Sequence, residues 1–376
     1  MEERKMKKIS ALLLVLVLVA GLAAGCGKAK ESDEKTNPTT APAADTADPT
    51  TAPATDDSTT DDSATTAAAK TGLAVITSIG KSKDASADAD GLAQVDSTIV
   101  AVLVGQDGKI LDCKIDAAQT KVNFSAEGKL VTDIGTVFKS KQELGTEYGM
   151  AKASSLSKEW NEQANSFAAY VIGKTMDEVK GIALTEDSVP TEADLAATVT
   201  IKLNTYIAAM EKAVASAQEL GAVEGDQLGL GLTTDIAKSK DASADAEGLA
   251  QAYTNISVIT VGADGKITSC ITDSVQGNVK FSATGAITTD LATAALTKLD
   301  LKEEYGMKKA SGISKEWYEQ ANAFSAYVTG KTMDEVKGIS LTEEGVPADV
   351  DLAASVSVHV GPFIMNMEKA SVNAAQ

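Results

Sequence analysis

The ten residues GKTMDEVKGI stand at Gly173–Ile182 and return unchanged at Gly330–Ile339. The same offset of 157 residues carries KSKDASADA from Lys81 to Lys238, Cys113 to Cys270, Trp160 to Trp317 and Pro190 to Pro347. The register needs no gap from Lys81 to about Lys212, and two units of roughly 150 residues are of ordinary domain size, too long for solenoid repeats. The chain therefore reads as repeat domain 1 over 71–219 and repeat domain 2 over 228–376, joined across QELGAVEGDQLG with its three glycines. A unit of this size is expected to unfold cooperatively by itself.

Each repeat has the pattern of an antiparallel β-meander packed with helices, an α+β fold. In repeat 1 the runs Leu73–Ile79, Thr98–Val104 and Lys109–Ile115 are rich in β-branched residues, and the Asp-Gly steps of ADADG and GQDG between them favour hairpin turns. SAEGKL adds a further short turn. Ser157 then precedes KEWNEQANSFAAYV, where Trp160, Ala164, Phe167 and Val171 recur at helical spacing and Gly173 is placed to end the helix. Within the duplicated decapeptide, Thr175 and Glu178 form T-x-x-E, a capping box that opens a short second helix. ATVTIKL and SVSVHV read as strands, each leading into an Ala-rich helix, Asn204–Gln218 and Pro362–Ala374.

The chain begins with Arg4, Lys5, Lys7 and Lys8, followed by the apolar run Ile9–Gly25 and Cys26, the pattern of a secretory signal peptide. Its ending, LAAGC, resembles the lipobox of bacterial lipoproteins. That resemblance implies cleavage after residue 25, lipid attachment at Cys26 and display on the outer face of the cytoplasmic membrane. Residues 26–70 form a Thr/Ala/Pro/Asp-rich linker with no aromatic residue and no Leu, Ile or Val. Such a segment buries too little apolar surface to offset chain entropy and is expected to be a disordered stalk.

The formal charge is −19, and loss of residues 1–25 makes it two units more negative and removes the chain's single arginine. A field of that sign opposes nucleic-acid binding, which clustered Lys and Arg drive by counterion release. His359 is the lone histidine, and its counterpart in repeat 1 is Lys202. No nucleophile-base pair or metal constellation recurs in both repeats, so an enzyme is not expected. KDASADADG and KDASADAEG place Asp84, Ser86, Asp88 and Asp90, and their counterparts, at alternate positions. An EF-hand loop needs Gly at its sixth place and bidentate Glu at its twelfth, but Ala and Val or Ala stand there, which favours a solvated turn. Cys113 and Cys270 read as buried strand thiols, with an inter-repeat disulfide as the alternative.

The best candidate site is EYGMAKASSLSKEW from Glu147, repeated as EYGMKKASGISKEW from Glu304. It brings Tyr148, Lys158 and Trp160, and in repeat 2 Tyr305, Lys315 and Trp317, to a loop that leads into a helix start. One reading is a pocket where a ring stacks on the aromatics and an anion meets the free N–H groups. The plainer reading, favoured by aromatic residues at helical spacing, is core packing with solvated lysines.

GLAQ at Gly91–Gln94, DGKI at Asp107–Ile110 and Asp116-x-x-Gln119, with Gly248–Gln251, Asp264–Ile267 and Asp273-x-x-Gln276 in repeat 2, resemble the FMN-binding domain of extracytoplasmic flavoproteins. The repeats as wholes also resemble tandem-domain lipoproteins of anaerobic Gram-positive bacteria. The flavin resemblance adds Gln119 and Gln276 to the ligand-binding candidates. Thr284–Thr288 does not match the covalent-attachment motif, so the resemblance implies non-covalent FMN or a relative without flavin. Three functions follow as expectations: a cell-surface lipoprotein displaying two duplicated small-molecule-binding modules, one site in each repeat, a non-covalent FMN electron-transfer lipoprotein, or a structural or adhesive surface protein.

Overall fold

The structure, a computed structural model, describes residues 66–374. The signal peptide, Cys26 and the linker as far as residue 65 lie outside the described residues. Each repeat contributes a three-stranded antiparallel sheet and a set of helices, as the α+β reading expects. Repeat 1 runs β1 (Lys70–Ser78), β2 (Gly91–Val104), β3 (Ile110–Phe124), α1 (Lys141–Leu144), α2 (Trp160–Tyr170), α3 (Met176–Lys180), α4 (Ala193–Ala196) and α5 (Asn204–Ala215). Repeat 2 repeats the order with β4 (Gln227–Asp235), β5 (Gly248–Val261), β6 (Ile267–Phe281), α6 (Lys298–Leu301), α7 (Trp317–Val328), α8 (Met333–Lys337), α9 (Val350–Ala353) and α10 (Gly361–Ala374).

TIVAVLV, residues 98–104 of β2, is an almost unbroken apolar run because both faces of the strand are covered. Val100, Val102 and Val104 face the helices, packing in one cluster with Trp160, Phe167, Leu203 and Met210. Ile99, Ala101 and Leu103 point the other way, onto Leu228, Leu230, Leu232, Ile256 and Val258 of repeat 2. Alternation with period two thus sends one strand into two cores. The layers run helices, sheet, sheet, helices, and the inner faces of the two sheets belong to both repeats at once.

A pseudo-twofold axis relates the repeats, and its contacts come in reciprocal pairs. Phe124 and its own counterpart Phe281, both fully buried, stack at 4.2 Å with 8° between the rings. The Ala85 N–H donates to the Gly285 carbonyl and the Ala242 N–H to the Gly128 carbonyl, each at 2.8 Å. The Asp84 carboxylate accepts from the Ile287 N–H at 2.7 Å, and Asp241 accepts from the Leu130 N–H at 2.8 Å. KDASADA therefore forms the expected turn, but its first carboxylate is engaged by the opposite repeat. Gly128 and Gly285 adopt φ of +67° and +71°, and a Cβ on Gly285 would come within 2.6 Å of the Ala85 methyl.

Several sequence expectations shift. The strands are longer than their β-branched cores, and Lys70, assigned by composition to the linker, begins β1, while Ala68 already bridges Val223. Asp90-Gly91 does not make the turn. Gly91 opens β2, and a Cβ there would lie 2.4 Å from the Phe124 ring, so the packing of that ring requires glycine. ATVTIKL and SVSVHV are not strands. Val199 and Leu203, like Val356 and Val360, are buried against the helices, and side-chain amides serve the backbone instead of a neighbouring strand: Gln163 accepts from the Thr200 N–H at 2.7 Å and Gln320 from the Ser357 N–H at 2.8 Å. Cys113 and Cys270 are free, buried thiols in separate helix-facing clusters, so the disulfide alternative is excluded. His359 is exposed but lies on no strand.

Candidate ligand-binding site

The site begins at α1. Ser140 and Glu143 form a capping box there, and the buried Asp116 carboxylate of β3 accepts from the Gln142 N–H at 3.1 Å and the Ala117 N–H at 2.7 Å. Gln142 returns a bond from its side-chain amide to the Ile115 carbonyl at 2.8 Å. This short helix is thereby fixed to the strand, and its first residue, Lys141, is aimed at the aromatics. Burial pushes the Asp116 carboxyl up to about 6, although Ser140 and the two N–H groups pull the other way.

The chain then makes a 3-10 turn over Gly145–Tyr148 and reverses at Gly149, with φ of +74°. Tyr148 is left half-buried beside Trp160, the first residue of α2. The Lys141 ammonium sits 4.6 Å from the centre of the Tyr148 ring and 5.3 Å from that of Trp160, a cation over two electron-rich faces. The Trp160 indole N–H donates to the Tyr206 hydroxyl of α5 at 3.0 Å, and burial raises that phenol to about 12. Lys141 forms no ion pair among the described residues.

Two adjoining cavities, each of about 370 Å³, share Lys141 and Tyr148. One is lined further by Met150, Trp160, Ile201 and Tyr206, the other by Gln119, Lys121, Phe138 and Lys139, the last paired at 2.8 Å with Glu147 of the same wall. Tyr148, Trp160 and Gln119 are thus brought together, and Trp160 is both a core residue and a cavity wall. Lys158 lines neither cavity. The expected anion position at the helix start is already filled: α2 begins at Trp160, the Glu159 and Glu162 carboxylates form its capping box, and buried Glu159 also accepts from the Met150 N–H at 2.7 Å. Carboxylates of the protein hold the N–H groups that an external anion would need.

Repeat 2 places Tyr305, Trp317 and Gln276 at the equivalent points but arranges them differently. Lys298, the counterpart of Lys141, is only 5% exposed. Its ammonium lies 4.7, 4.6 and 5.0 Å from the ring centres of Tyr253, Tyr305 and Trp317, and donates to the Tyr253 hydroxyl at 2.8 Å. Burial pulls this amine down to about 8, while Asp273 acts in the opposite sense; Asp273 itself is raised to about 7 by its own burial. Lys315 stands outside this cage, its backbone carbonyl accepting from Gln320.

Sequence reading missed Lys141 and Lys298. Their recurrence at the repeat offset, one residue after a Ser or Thr cap, was the available signal. Among the described residues no cluster of three or more His, Cys, Asp or Glu side chains is placed to hold a metal ion, and no helix is long and apolar enough to cross a membrane. No protein family, curated protein or solved structure matches the chain in comparison.

Proposed function

We propose that the chain is a surface-displayed lipoprotein that binds a small aromatic anion in repeat 1, without turning it over. The observation that carries this reading is Lys141: a cation over Tyr148 and Trp160, without an ion-pair partner among the described residues, beside two adjoining cavities. Aromatic walls with a few convergent polar groups are the usual composition of a small-ligand site. Lys121 adds positive charge at the second cavity of a chain whose net charge is strongly negative, while Lys139 there is paired at 2.8 Å with Glu147 of the same lining. The anchor rests on the LAAGC sequence at Cys26.

A second reading, non-covalent FMN, belongs to the same chemical class, a flat ring with an anionic tail. The sharing of Lys141 and Tyr148 by two cavities favours it, since ring and phosphate would occupy neighbouring spaces. Benzoate, flavin mononucleotide and riboflavin, titrated calorimetrically into the protein lacking residues 1–25, test both readings. Benzoate is expected to bind at one site per chain, with affinity at least about tenfold weaker in Lys141→Gln, a change of roughly 1.4 kcal/mol. Tighter binding of FMN than of riboflavin would select the flavin reading. No heat with any of the three would remove both and leave a structural or adhesive surface role.

A further inference from the structure

Asp96 and Tyr253 occupy the same position in the two repeats, each paired across its sheet with a glutamine, Gln119 or Gln276. In repeat 1 the Asp96 carboxylate is drawn into bonds with Lys81 at 2.9 Å, Gln94 at 2.9 Å and Gln119 at 3.0 Å, and it does not pair with Lys141. The space beside Gln119 and Lys141 is the second cavity. In repeat 2 a phenol stands out from the same backbone position and hydrogen-bonds Lys298. Lysines 121 and 139, which line the open cavity, are replaced at their repeat-2 counterparts by Asn278 and Leu296. Lys139 is paired with Glu147 of the same lining, so the charge without an ion-pair partner among the described residues is that of Lys121, kept where the space is open and replaced by Asn278 where a side chain of the protein meets the lysine.

We infer that Tyr253 is a built-in occupant of the second site, and that its side chain shows the chemistry the open first site takes from solution: an aromatic ring bearing a hydroxyl, with the oxygen at Lys141 and the ring beside Tyr148. Pseudo-symmetry supplies the template. Two sites with the same lysine, tyrosine and tryptophan differ in whether a phenol of the chain reaches the lysine; they differ also at Phe138 and Tyr206, whose repeat-2 counterparts are Ala295 and Phe363. Within the class of aromatic anions proposed above, on which this inference rests, the preferred ligand is a hydroxylated one, such as a phenol that also carries a carboxylate to meet Lys121. A phenol hydroxyl can donate to or accept from the amine's surroundings, whereas an unsubstituted ring leaves the lysine without an oxygen partner.

The probe is p-cresol, the free form of a tyrosine side chain, with toluene as the ring lacking the hydroxyl. Both are titrated into the protein without residues 1–25 and into its Asp96→Tyr and Tyr253→Ala variants, with the thermal transition recorded to verify folding. The parent protein is expected to bind one p-cresol and to bind toluene at least about tenfold more weakly. Asp96→Tyr should lose p-cresol binding, because repeat 1 then carries its own phenol. Tyr253→Ala should bind two, the second in the space the phenol vacated beside Lys298. Equal affinity for toluene and p-cresol, unchanged binding in a folded Asp96→Tyr, or a single site in a folded Tyr253→Ala would each overturn the inference. Binding of benzoate without any binding of p-cresol would overturn it while leaving the aromatic-anion reading intact. Should Asp96→Tyr fail to fold, the Tyr253→Ala titration and the toluene comparison still decide.

Discussion

At Asp116 and Asp273 the protein buries two carboxyls where each ties a short helix to a strand, and burial raises them to about 6 and about 7. An unfolded chain returns both to an ordinary carboxylate pKa near 4. Between that value and the raised ones the folded state binds more protons than the unfolded state, so these groups make stability fall as pH rises from about 4 to 7. Asparagine keeps the oxygen that accepts from Gln142 or Leu299 and removes the charge. Asp116→Asn and Asp273→Asn are expected to unfold at equal or higher denaturant concentration at pH 8, and to show a smaller gain between pH 8 and pH 5 than the parent. Chemical denaturation at the two pH values checks this, and a steeper pH dependence in the variants would contradict the assignment. The sequence exposed these aspartates through Asp116-x-x-Gln119 and its repeat, but a resemblance could not reveal that they anchor α1 and α6. That role depends on a contact between residues 26 apart in the chain. Trp160 and Trp317 were legible as core aromatics, whereas Lys141 was not singled out, since a cation placed over two rings leaves only a lysine in the sequence.

Among the elements, α3 and α8 show how far local sequence reaches. Their T-x-x-E strings form the capping boxes read from GKTMDEVKGI: Thr175 accepts from the Glu178 N–H at 3.4 Å, and Thr332 accepts from the Glu335 N–H at 3.3 Å. The Glu178 and Glu335 carboxylates accept from the cap N–H groups at 2.7 and 2.8 Å. Replacing an N-cap threonine by alanine typically costs about 1 kcal/mol. Thr175→Ala and Thr332→Ala should each lower global stability by roughly that amount, and the double variant by roughly the sum, since the two caps share no partner. Serine at either position should recover most of the loss. A capping box is local, so four residues suffice to read it. ATVTIKL failed as a strand for the complementary reason: its alternation is genuine, but its backbone partner is the side chain of Gln163, 37 residues away, and nothing in the segment signals that a neighbouring strand is missing.

In the whole molecule, duplication does more than copy a domain. The faces carrying Leu73, Val75, Ile99 and Ala101 meet those carrying Leu230, Leu232, Ile256 and Val258, so neither repeat has a closed inner face without the other. The second shared cluster is centred on the Phe124–Phe281 stack. Reciprocal ion pairs at the periphery, Lys212 with Asp300 and Lys369 with Glu143, each at 2.6 Å, tie the last helix of one repeat to the first helix of the other. Offset and length made the repeats legible, but the face each turns to the other follows from an isologous packing that a linear register does not encode. Because these cores are common property, the chain lacking residues 1–25 is expected to show one thermal transition, with calorimetric and van't Hoff enthalpies in agreement. Phe124→Ala and Phe281→Ala should each destabilise that single transition by roughly 3–5 kcal/mol, the usual cost of emptying a buried phenylalanine site. The double variant should cost less than the sum, since the second ring removed has already lost its stacking partner. Two resolved transitions, with Phe281→Ala moving only one of them, would mean that each repeat is held by its helix-facing core alone and that the shared faces contribute little.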